Sequence, residues 1–146
     1  MIFGSFRVAA ICASLVPALW CGHANAAGAL AVGVAAGGAQ VSFSYGVNSN
    51  SATDAEARNK ALTACRESKE ADERAHSRCR LIGTFTNQCG VVAMDPKAGT
   101  PGVGWAISAT SAAAKAQALA ACEATAGPQR AGACVVSGFR CDGKAQ

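Results

Sequence analysis

Two stretches of this chain, 57 positions apart, repeat one pattern. Ala55-Glu56-Ala57-Arg58 leads into Ala61-Leu62-Thr63-Ala64-Cys65, and Ala112-Ala113-Ala114-Lys115 leads into Ala118-Leu119-Ala120-Ala121-Cys122. Alanine-rich composition would imitate that match by itself, but not the landmarks that flank it in the same order. Upstream, Tyr45-Gly46-Val47 corresponds to Val103-Gly104-Trp105, and Leu30-Ala31-Val32 to Val91-Val92-Ala93. Downstream, Cys79-Arg80-Leu81-Ile82-Gly83-Thr84-Phe85 corresponds to Cys134-Val135-Val136-Ser137-Gly138-Phe139. An ordered series of glycine, cysteine and phenylalanine positions marks an internal duplication. The chain is thereby restricted to two copies of one supersecondary unit, about residues 28–86 and 87–141.

Each copy reads as strand-strand-helix-strand. In the first, an apolar strand over residues 29–35 is followed by a Gly37-Gly38 turn and by Val41-Ser42-Phe43-Ser44-Tyr45, whose alternation turns the odd positions toward a core. A helix starts after Asn50-Ser51, where Thr53 and Glu56 have capping-box spacing. The second copy uses a strand at residues 91–94, a turn at Asp95-Pro96-Lys97-Ala98-Gly99, a strand near residues 103–107 and a helix capped around Ser108 or Ser111. Both helices present mostly alanine plus one leucine, and such flat faces let a helix sit close to a sheet. The expected fold is α+β: two β-β-α-β repeats forming one compact disulfide-bonded domain, with a mainly antiparallel sheet shared by the copies and two helices against it. Strand order stays open.

The segment ahead of the repeats has a different character. Arg7 is followed by an uncharged run of 13 residues, Val8 to Trp20, and then by Ala24-Asn25-Ala26, with small side chains where a signal peptidase requires them. This is the pattern of a cleaved secretory signal peptide, residues 1–26. Lipidation at Cys21 is the weaker reading, because large Trp20 precedes the cysteine. The run is also shorter than the roughly 20 residues a membrane-spanning helix needs, so no transmembrane segment is expected after cleavage. Without Arg7, 12 basic residues stand against 9 acidic ones, an interleaved charge of +3. No basic helix stands out, which argues against nucleic-acid binding. One domain, residues 27–146, periplasmic or secreted, is the expectation.

Cys12 and Cys21 leave with the leader, and Cys65, Cys79, Cys89, Cys122, Cys134 and Cys141 remain. An even number of cysteines in a small exported domain reads as a disulfide framework, and six allow 15 pairings. The repeat narrows these: Cys65 with Cys79 and Cys122 with Cys134 would join the end of each helix to its following strand. Cys89 with Cys141 would then tie the two copies together. A zinc site would need thiolates and lacks a short Cys-x-x-Cys pair, and the same absence disfavours thioredoxin-type redox work.

A Tyr-Gly or Gly-Trp strand, a helix ending Ala-Leu-x-x-Cys, a strand with cysteine ahead of phenylalanine, and Asn87-Gln88-Cys89-Gly90-Val91-Val92-Ala93 together resemble the bacterial family described as domain of unknown function 4189. The resemblance covers about residues 29–141. It implies an exported bacterial protein and brings no catalytic residues with it. The chain departs from the pattern in the long charged loop from Arg66 to Arg78 and at Val103, where an aromatic residue is common.

No set of residues has the type and spacing of a known chemistry. His76, the only histidine after residue 26, would have to be the base of any Ser-His-Asp or Cys-His mechanism, yet it sits in a charged stretch that reads as a solvated helical extension or loop. Asp72, four residues earlier, is placed to contact it on a helix. Gly102-Val103-Gly104 has Ile107 where a nucleotide loop needs its third glycine. The nine acids are concentrated in the charged loop and at helix starts, where capping and solvation account for them. Two candidate contact surfaces remain. Tyr45 and Trp105, read as equivalent positions of the copies, form a core centre or an exposed patch. Arg74, His76 and Arg78 lie in the loop where the copies differ. The expectation is a noncatalytic binding or interaction module (an inhibitor, envelope partner or secreted factor) without cofactor or metal, meeting an envelope or extracellular protein. The alternative is an envelope hydrolase with an unfamiliar site.

Overall fold

The computed structural model describes residues 27–37, 40–69 and 71–146. The leader read from the sequence and Gly38 of the expected turn lie outside them. The first copy runs β1 (Ala27–Gly37), β2 (Gln40–Ser51), α1 (Asp54–Arg66), a one-turn helix α2 (Glu73–His76) and β3 (Arg80–Phe85). The second runs β4 (Cys89–Met94), β5 (Val103–Ser108), α3 (Ser111–Ala126), a single 3-10 turn (Pro128–Arg130) and β6 (Val135–Cys141). Local chemistry starts both long helices alike. Thr53 Oγ1 accepts from the Glu56 amide of α1 at 3.1 Å, and Thr110 Oγ1 accepts from the Ala113 amide of α3 at 3.2 Å, each satisfying one free amide of the first turn. Thr110, rather than the expected Ser108 or Ser111, is the second cap, and it stands 57 positions after Thr53 like the rest of the helix.

Each copy forms its own three-stranded antiparallel sheet, in the order β2-β1-β3 and β5-β4-β6. The α+β class and the antiparallel pairing are as expected, but the copies do not share one sheet. The reason is visible along the central strands, which are apolar on both faces. In β1, Ala29 and Ala31 pack under α1 with Ala57, Ala61 and Cys65, while Leu30 and Val32 point to the other side and meet Phe43, Phe85, Val92 and Val103. In β4, Val91 and Ala93 pack under α3 with Ala114, Ala118 and Cys122. A sheet that is apolar on both sides must be covered on both, and here a helix covers one face and the other sheet covers the second. The result is a four-layer stack, helix, sheet, sheet, helix.

Glycine sets how close the helices come. A Cβ at Gly46 would collide with the Ala61 carbonyl oxygen of α1, and one at Gly104 with the Cys122 amide and Ala118 carbonyl of α3. Because Gly46 pairs with Ala31 and Gly104 with Ala93, these glycines also fix the true correspondence of the copies. Leu30 matches Val92, one residue on from the alignment read from the sequence. A one-residue slip moves a strand residue to the other face. Hence Phe85 is buried between the sheets, whereas Phe139 packs under α3 with the Lys115 ammonium 4.4 Å from its ring centre.

Sulfur closes the ends. Cys65 is bonded to Cys79 and Cys122 to Cys134, with Cα separations of 6.0 and 6.1 Å. These are the pairs the repeat predicts, each holding a helix end to the start of the next strand. Cys89 is bonded to Cys141, but the two residues face each other across β4 and β6. This bridge therefore closes the second sheet and does not tie the copies together. The copies are joined without covalent links: by the apolar layer between the sheets, by Tyr45 Oη donating to the Ser137 carbonyl at 2.6 Å, and by the Asn50 amide donating to Asp142 Oδ1 at 2.8 Å.

Two outcomes follow from this packing. Gly46→Ala and Gly104→Ala should each cost at least about 2 kcal/mol, since overpacking against fixed backbone costs roughly 1–3 kcal/mol or more. Gly83→Ala, whose Cβ would meet only the Ile107 Cδ1 methyl at 3.3 Å, should cost clearly less in the same urea titration. Replacing both Cys122 and Cys134 by alanine should lower stability by about 3 kcal/mol in the chain-entropy picture, against about 4 kcal/mol for the longer loop closed by Cys89 and Cys141. Equal midpoints for the two double variants would count against that picture here.

Candidate functional site

A cavity of about 440 Å³ lies where the two repeats meet beside the charged loop. Its floor is apolar: Val41 and Phe43 from β2, Met94 from the end of β4 and Val103 from the start of β5. Its rim is polar, formed by Asp72 and Arg74 of the loop and by the turn that carries Asp95, Lys97 and Thr100. One backbone bond crosses between the copies at its edge, the Val41 amide to the Gly99 carbonyl at 3.3 Å.

The turn is held by a pair that the sequence did not announce. Asp95 is buried, and Arg130, 35 positions later, donates Nε to Oδ2 and Nη2 to Oδ1, both at 2.6 Å. The same carboxylate accepts the Lys97 amide at 2.9 Å. Thr100 Oγ1 donates to the Lys97 carbonyl at 2.8 Å. The guanidinium of Arg130 holds the Asp95 carboxyl far below the usual carboxylate range, against the opposing effect of burial, and the Arg130 side chain is shifted up in return. A two-pronged arginine grip fits a carboxylate in geometry as well as charge. The only sequence signal for it was an acid at the first position of a turn, where aspartate also serves backbone amides.

On the opposite rim Asp72 caps α2, accepting from the Ala75 amide at 3.2 Å, and pairs with Arg74 at 2.6 Å. Arg74 first, and then the Ser42 hydroxyl, hold the Asp72 carboxyl down to about 2. The Asp72 carboxylate therefore pairs with Arg74 and not with the His76 ring that its spacing suggests; Asp72 meets His76 only through its carbonyl, which accepts the His76 amide at 3.2 Å. Among the described residues the carboxylate within ion-pair distance of His76 is that of Glu73, at 3.8 Å from Nδ1, and His76 Nε2 lies 2.8 Å from the Ser68 carbonyl. Since a carbonyl only accepts, that nitrogen carries the proton, and the ring spans the loop as a brace. His76 and exposed Arg78 lie outside the cavity lining, while Arg74 is part of it.

Tyr45 and Trp105 are not equivalent positions. With Gly46 matched to Gly104, Tyr45 corresponds to Val103 and Val47 to Trp105, two residues further along the same face. Both aromatics point between the sheets, and Phe43 joins them, with ring centres 6.0 Å from Tyr45 and 6.2 Å from Trp105. They act as a core centre just behind the cavity floor. Among the described residues no three His, Cys, Asp or Glu side chains gather as a metal site, and no helix is long and apolar enough to cross a membrane.

The family model described as Domain of unknown function (DUF4189) matches residues 27–141, from the first residue of β1 to the last of β6. The chain belongs to the DUF4189 family. The match begins and ends with the paired sheets, so the DUF4189 unit is the whole duplicated domain and not one repeat. No curated protein matches the chain, and no solved structure matches it.

The carboxylates set an acid limit. Asp95 and Asp72 start near 3.8 when unfolded and lie lower when folded, so their contribution is complete above about pH 4 and fades as pH falls below it. Urea midpoints should be level from about pH 7 to 5 and drop from about pH 4 downward. Asp95→Asn should lower the midpoint at neutral pH and flatten that drop; Asp72→Asn, at an exposed pair, should change both much less.

Proposed function

We propose that this DUF4189 protein is a noncatalytic binding module of the bacterial envelope or the extracellular space, acting as an inhibitor, an envelope partner or a secreted factor. The observation that carries the reading is the cavity between the repeats. It combines an apolar floor of aromatic and aliphatic side chains with a few convergent polar groups, the usual make-up of a binding site. Its two carboxylates are already engaged in ways that suit holding rather than reacting. Asp72 is gripped by Arg74 and Asp95 by Arg130, and depressed carboxyls of this kind are poor general bases at neutral pH. His76, braced on Ser68, has no nucleophile hydrogen-bonded to it among the described residues.

Export suits the same reading. Three disulfides in a domain whose helix-facing core is mostly alanine give it a rigidity that an oxidising compartment maintains. A rigid concave surface loses little freedom on binding, which favours affinity.

The test is capture of a partner by the oxidised protein from periplasmic extract and from culture filtrate. A stoichiometric partner retained by the wild type and lost with Arg74→Glu is the expected result. Strong hydrolysis of an ester or peptidoglycan panel, abolished by His76→Ala in a protein that still folds, would replace the binding module with a hydrolase.

A further inference from the structure

We propose that the cavity between the repeats takes a small amphipathic carboxylate, its anionic head on Lys97 and its apolar body over Phe43, Met94 and Val103. This deepens the binding-module reading and rests on it. Four lining side chains are charged, and three already have opposite partners: Asp72 and Arg74 hold each other at 2.6 Å, and Asp95 is held by Arg130 at 2.6 Å. Lys97 is left as a cation with no carboxylate within ion-pair distance among the described residues.

Lys97 is also well placed. Its amide is fixed by Asp95 at 2.9 Å and its carbonyl by Thr100 at 2.8 Å, so the stem of the ammonium leaves from a braced turn beside the apolar floor. The pair of buried Asp95 with half-buried Arg130 is what holds that turn, which makes Asp95 a positioning residue for the head-group site. The volume, about 440 Å³, lies in the range of small-molecule sites, roughly 300–1,000 Å³. A cation with no ion-pair partner among the described residues, above an apolar floor, complements one anionic head on an apolar tail. A neutral hydrocarbon would leave the ammonium unused, and a cationic amphiphile would be repelled by it.

The experiment is a titration of the isotope-labelled, oxidised protein with dodecanoate below its micelle concentration, with dodecanol as the neutral counterpart, followed by two-dimensional NMR. Dodecanoate should shift the amides of Phe43, Lys97 and Val103 in a saturable way, together with the Trp105 indole, which stacks on Phe43. Lys97→Glu should weaken binding by about tenfold, the scale of one charge-assisted contact, with Lys97→Arg restoring most of it. If dodecanol binds as tightly as dodecanoate and Lys97→Glu changes nothing, the anionic head is wrong while the cavity remains a binding site. If neither probe shifts these residues but a captured protein partner is still lost with Arg74→Glu, the small-molecule inference falls and the binding-module reading stands, with a protein segment as occupant. If neither probe binds and no partner is captured, both fall.

Discussion

Everything in this molecule is spaced by the contact of a helix backbone on a bare strand glycine. Gly46 lies under Ala61 and Cys65 of α1, and Gly104 under Ala118 and Cys122 of α3, at distances that no side-chain carbon would tolerate. Alanine on the facing positions, Ala57 and Ala61 in one copy and Ala114 and Ala118 in the other, keeps the remaining gap equally thin. Such layers remove little apolar area per residue from water, because the hydrophobic contribution scales with buried area. The larger buried side chains are concentrated elsewhere, between the two sheets, where Leu30, Val32, Phe43, Phe85 and Val92 meet. The thin outer layers are reinforced at their weak ends by Cys65–Cys79 and Cys122–Cys134.

The interesting chemistry lies where the copies stop matching. Repeat one inserts the charged loop and α2 between helix and strand, capped by Asp72 and braced by His76 on Ser68. Repeat two has the Asp95 turn, locked to Arg130, and an extra bridge across its sheet between Cys89 and Cys141. The cavity forms between the inserted loop of one and the locked turn of the other. A symmetric pair of units would have had no reason to make one rim differ from its counterpart. Divergence after duplication leaves the scaffold common and gives each copy a different edge, which is where loops usually carry function.

Much of the fold was legible because local rules and repeat logic agreed. Strand alternation at Val41, Phe43 and Tyr45, the Thr53 cap with Glu56, and the equal placement of Cys65 and Cys122 each report on neighbours within a few residues or on the matching copy. The errors share one cause. Aligning Leu30 with Val91 instead of Val92 is a slip of one residue, invisible in runs such as Val91-Val92-Ala93 that are apolar on both faces, but enough to misplace Phe139. The single shared sheet failed for a related reason: two-sided apolar strands say that both faces are covered without saying by what. The site was less legible still. Arg74 was singled out and lines the cavity, whereas Lys97 and Arg130 were passed over, since a turn lysine and a distant arginine look like ordinary solvated charge until the chain brings them to Asp95.

By itself the sequence determined that there are two copies of a strand-strand-helix-strand unit, where the first long helix begins, and which cysteines join each long helix to its following strand, because all of these depend on spacing along the chain. Tertiary structure alone decided that the copies stack sheet on sheet, that Cys89 and Cys141 close one sheet, that Tyr45 and Trp105 meet through Phe43, and that a cavity opens beside Lys97. Those features depend on which face of one layer meets another, and a face is a property of register and packing, not of residue order.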